Sequence, residues 1–99
     1  MVITGRGLYK MTKKEKNILK QQIANTFFRR NVAEFADVVF GDKPNLQEAA
    51  KYTEQLNALQ SLCNELGVNE IFAEVAEANA KIVAKNLQER EALKAKGVL

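Results

Sequence analysis

The chain has 99 residues, 46% of them hydrophobic and 27% charged, with a net charge of +3. That is enough for one domain with a packed core, and too apolar for wholesale disorder. It contains no His, no Trp and a single Cys, Cys63. The commonest general base and metal ligand, every Ser–His or Cys–His nucleophile pair and any internal disulfide are thereby excluded. The expectation is a protein that is not an enzyme and needs neither cofactor nor metal. No apolar run approaches the roughly 18 residues of a membrane span, and no signal-peptide core follows the first basic residues. With one unpaired cysteine, that suits the cytoplasm.

Residues 1–11 read as a flexible basic arm or leader, and 12–99 as one helical domain. The arm, VITGRGLYK after Met1, holds Arg6, Lys10 and Tyr9. Its GRG has neither the spacing nor the context of a phosphate loop. Thr12 and Glu15 form a capping-box pattern, T-x-x-E. No Gly or Pro interrupts the chain from there to Phe40. A helix is predicted over about 12–40, either continuous or broken near Asn31, where N-x-x-E repeats the cap pattern. Ala24, Phe28, Val32, Phe35 and Val39 share one helical stripe and argue for continuity. The β-branched ending VVF makes a short strand the competing expectation.

Gly41-Asp42-Lys43-Pro44 is a turn, and Asn45 with Glu48 starts a second long helix, about 45–66. Its seam is Ala49, Tyr52, Leu56, Leu59, Cys63 and Leu66, widened by Leu46 and Leu62. Gly67 fits a left-handed stop with Val68 behind it. Asn69 is the expected cap of a last helix, about 69–96. The short link makes these two helices an antiparallel hairpin. The fold class is thus all-α: a helical hairpin packed with an N-terminal helix.

The last helix has three faces. Glu70, Glu74, Glu77, Lys81, Lys85 and Gln88 form a polar one. Ala73, Ala76, Ala80, Ala84 and Leu87 form a second. Ile71, Val75, Ala78 and Ile82 form a third. So much apolar circumference calls for cover on two sides, by the N-terminal helix or by another subunit. A homo-oligomer is therefore expected. The interface residues would be Ala76, Asn79, Ala80, Val83, Ala84, Asn86 and Leu87. Asn79 and Asn86, seven apart, are placed to fix register in a helical seam.

Charge is divided along the chain. Residues 1–30 hold eight Lys/Arg and one acid, residues 31–80 two Lys and nine acids, and residues 81–99 five Lys/Arg and two acids. Basic helices and arms attract phosphate backbones through counterion release. Arg6, Lys10, Lys13, Lys14, Lys16, Lys20, Arg29 and Arg30 are the candidate contacts to nucleic acid or an acidic protein. The plainer alternative is a solvated face, with Arg29 and Arg30 paired to Glu34 or Asp37. The alternative function is an inhibitor or adaptor, such as an accessory protein of a mobile element, that binds through its Ala-rich C-terminal helix. A small-anion pocket from Arg29, Arg30 and Tyr52 is a third. Glu70, Glu74 and Glu77 share a face but lack the His partners of a carboxylate metal site.

Overall fold

The computed structural model describes residues 10–99. Four helices are formed: α1 (Lys13–Glu34), α2 (Ala36–Val39), α3 (Leu46–Leu66) and α4 (Asn69–Ala95). No strand occurs among the described residues. The VVF segment is therefore helical or turn, not β. Arg6 and the rest of the arm up to Tyr9 lie outside the described residues.

Local chemistry explains most boundaries. The Thr12 hydroxyl accepts from the Glu15 amide at 3.1 Å, and the Glu15 carboxylate accepts from the Thr12 amide at 2.8 Å. Two orphan amides of the first turn are so satisfied. The Asn45 side chain accepts from the Glu48 amide and caps α3. Gly67 adopts φ 71°, and the Val68 amide reaches back to the Cys63 carbonyl at 2.9 Å. That is the Schellman closure expected of a glycine stop.

Two boundaries differ from expectation. The first helix does not break near Asn31; it runs through Asn31 and ends at Glu34, with Phe35 at φ −110°, ψ 29° between α1 and α2. Asn31 is buried and gives its amide to Asn79, so it does not serve as a cap. The break falls where the fully buried Phe35 ring and the Glu34 carbonyl are held by α4. Asn69 does not cap α4 either. It lies inside the first turn, with its amide on the Asn64 side chain across the link.

Three side-chain contacts fix the topology. Lys20 meets Glu74, Asn31 meets Asn79 and Asp37 meets Arg90. Partners rise together in residue number, so α1 and α4 run parallel. α3 returns antiparallel between their ends, and α1 packs against both. The core is a row on α1, Leu19, Ile23 and Phe27, set against Leu56 and Cys63 of α3 and Val68, Ile71 and Val75. Phe27 and Phe72 add a tilted ring contact with centroids 5.8 Å apart. The molecule is long, 60 × 22 × 17 Å.

Candidate functional site

The row of α1 that is buried is not the stripe Ala24, Phe28, Val32, Phe35 and Val39. Two apolar arcs lie side by side on α1. The arc through Leu19, Ile23 and Phe27 is covered by α3 and α4. The arc through Ala24, Phe28 and Val32 is less covered, with Phe28 exposed and Ala24 and Val32 half-buried, and of the stripe only Phe35 is buried. This open arc is one wall of a groove of about 350 Å3. The second wall is α4, with Val75, Ala78, Asn79, Ile82 and Asn86. Val39 and Phe40, just past the break after α1, close one end. Beyond Ala24 and Val75 the Lys20–Glu74 ion pair, 2.8 Å, stands at the other.

The rim of the groove projects into solvent. Phe28 is 67% exposed, Phe40 61%, Ile82 52% and Val39 51%. Exposed apolar residues scattered singly are ordinary, but contiguous ones around a hollow mark an interaction surface. The floor carries the amide pair. Asn31 is 7% exposed and its Nδ2 donates to the Asn79 Oδ1 at 2.6 Å. Its own Oδ1 is buried without a partner, which costs about 1–3 kcal/mol. Asn86, half-buried on the same wall, makes no side-chain hydrogen bond among the described residues.

One constellation holds the far end of the groove rigid. The Arg90 guanidinium takes the Asp37 carboxylate in a fork, Nε to Oδ2 and NH2 to Oδ1, each at 2.8 Å. It also donates to the Glu34 carbonyl at 2.9 Å, an orphan acceptor at the end of α1. Its carbon lies 4.7 Å from the centre of the Phe35 ring. Arg90 beside it holds the Asp37 carboxyl below the usual carboxylate range, mainly through that hydrogen bond, and Asp37 raises Arg90 in turn. The sequence gives no local sign of this clamp, since its partners lie more than fifty residues apart.

The remaining expected site residues fall into separate places. Lys10, Lys13, Lys14 and Lys16 are exposed around the start of α1, and none of them makes an ion pair among the described residues. Lys20 is tied to Glu74. Arg30 pairs with Glu34 at 3.5 Å, while Arg29 is exposed. Tyr52 gives its hydroxyl to Glu48, so Arg29, Arg30 and Tyr52 build no common pocket. On α4, Asn79 is buried, Ala76, Val83 and Asn86 are half-buried, and Ala80, Ala84 and Leu87 are exposed. The Ala face is thus open within one chain. Glu70, Glu74 and Glu77 are exposed on the polar face. Cys63 is fully buried, and burial followed by the Glu70 charge pushes its thiol up. No described helix is long and apolar enough to cross a membrane.

No family model, curated protein or solved structure matches this chain.

Proposed function

We propose that this chain is a non-catalytic helical binding protein whose recognition surface is the groove between α1, the Val39–Phe40 corner and α4. One observation carries the reading. Four large apolar side chains, each more than half exposed, ring a hollow whose lining is almost wholly apolar. Water is a poor solvent for such a surface, and covering it with protein recovers roughly 25 cal/mol per Å2 of apolar area. The half-buried Asn86 amide on the α4 wall adds a polar group that constrains how a partner seats. The chain would act by docking, as an adaptor, inhibitor or assembly unit does, and the partner would bring the chemistry.

A photoreactive benzophenone amino acid in place of Phe28 tests this in cells that make the chain. The control position is Ile18, which is exposed on α1 but does not line the groove. Covalent protein adducts are expected from position 28 and not from 18. Adducts from both positions alike, or from neither, would sink the reading.

A second reading keeps the basic start of α1 as a contact for nucleic acid or an acidic protein. Its support is that Lys13, Lys14 and Lys16 are exposed around one helix start and make no ion pair among the described residues. Lysines there oppose the helix dipole at a cost of a few tenths of a kcal/mol each, so folding alone gives them no reason to be there.

A further inference from the structure

We infer that the occupant of the groove is a second copy of this chain, seated face to face about a two-fold axis. This rests on the groove being the binding surface and adds the identity of what fills it.

A two-fold interface presents the same patch on both sides, so the patch must complement itself. This one does so in three respects. In shape, it holds both a hollow of about 350 Å3 and projecting side chains, Phe28, Phe40 and Ile82, of the kind that fill hollows. In polarity, its unused groups are amides. The side chain of Asn86 lies on one wall with no partner. An amide donates and accepts at once, so the Asn86 side chains of two copies can pair with each other across the axis. In charge, residues flanking the lining carry both signs. Arg29, Lys81, Lys85 and Glu89 are exposed and none has an ion pair among the described residues. In a two-fold pair each copy brings Glu89 as a carboxylate for the other's cations.

The area also fits. An aromatic side chain buries roughly 150–250 Å2, so Phe28 and Phe40 with Val39 and Ile82 expose on the order of 400 Å2 of apolar surface. A standard interface takes about 800 Å2 per partner, a little over half of it apolar, which is about that much.

Light scattering coupled to size exclusion, or sedimentation, on the full chain from about 1 to about 200 µM is the test. The mass is expected to rise to twice that of the chain. Ile82→Glu and Phe28→Glu should each weaken association at least about 100-fold, since each puts a charge in a desolvated centre. Ala80→Leu, on the open Ala face, should leave the dimer intact. Helical circular dichroism checks folding; Phe28→Ala and Ile82→Ala, which remove a projection without adding charge, carry the test if a Glu variant unfolds. A single-chain mass at every concentration overturns the second copy as occupant. In that case an adduct from position 28 to a different protein still supports the groove as a docking surface. A dimer that survives all the groove variants, or that only Ala80→Leu abolishes, overturns the inference as well. If position 28 then gives no adduct, the groove reading falls with it.

Discussion

Arg90 is a half-buried cation that binds three things at once: the Asp37 carboxylate, the Glu34 carbonyl and the face of Phe35. Its removal leaves a carboxylate and a helix-end carbonyl short of partners. Arg90→Ala is expected to lower unfolding free energy by about 2 kcal/mol, the scale of hydrogen bonds to a charged group. Asp37 makes the clamp sensitive to acid. Its folded pKa lies below its unfolded value, so its contribution is complete above about pH 4 and is lost as pH falls through the folded value. Asp37→Asn should therefore be less stable than the parent at pH 7, with the gap closing toward pH 2. Urea melts of both proteins across that range check the sign. A gap that stays constant with pH would show that the carboxylate charge is not what holds the corner. Among the other single residues, Asn31 shows how context reassigns a side chain. Its sequence neighbourhood resembles a helix start, yet a buried amide 48 positions away engages it within the helix instead.

At the scale of elements, helix ends followed local chemistry wherever the cap was local. Thr12–Glu15, Asn45–Glu48 and Gly67–Val68 are closed by bonds within five residues, and each was visible in the sequence. The α1–α2 break at Phe35 has no such local agent, which explains why the sequence offered only a continuous helix or a break near Asn31. Of the three left-handed glycines that follow helix ends, Gly67 and Gly97 differ most in what rests on them. Gly67 joins α3 to α4 and positions the buried Val68. Gly97 ends α4 in the overhang, where a Cβ would meet nothing and every later residue is exposed. Both sites are strained for a side chain, by about 1–2 kcal/mol. Gly67→Ala is expected to show that cost as a thermal midpoint lower by several degrees. Gly97→Ala should leave the midpoint within about 1 °C of the parent, because the last turn can fray without disturbing the core. Equal losses in the two melts would mean that the overhang is part of the cooperative unit.

For the whole molecule, the parallel run of α1 and α4 decides where charge sits. The basic start of α1 lies alongside the acidic start of α4, as the Lys20–Glu74 pair records, and the basic C-terminal turns lie at the far end of the rod. Lys13, Lys14 and Lys16 at the start of α1 therefore stand apart from Lys94 and Lys96 at the end of α4. Lys13, Lys14 and Lys16 remain as free cations near the start of α1. If they contact nucleic acid, affinity for duplex DNA between about 50 and 200 mM salt should fall with a slope near 3, at roughly 0.9 per phosphate neutralised. A variant with all three changed to Ala should not bind. A slope near 6 would enlist Lys20, Arg29 and Arg30 as well, and no binding at low salt would end this reading.

The all-α class, the hairpin, the helix ends set by neighbouring residues and the segregation of charge along the chain were all determined by the sequence itself. The reason is that capping, glycine geometry and periodicity act over a turn or two of chain. Only tertiary structure decided which of α1's two apolar arcs became core and which became a groove. Both arcs have similar composition, and the outcome depends on where α3 and α4 come to rest. The Arg90 clamp and the Asn31–Asn79 bond belong to the same class. Each joins residues that are near only after α1 and α4 lie parallel, a relation set by packing and not by local sequence.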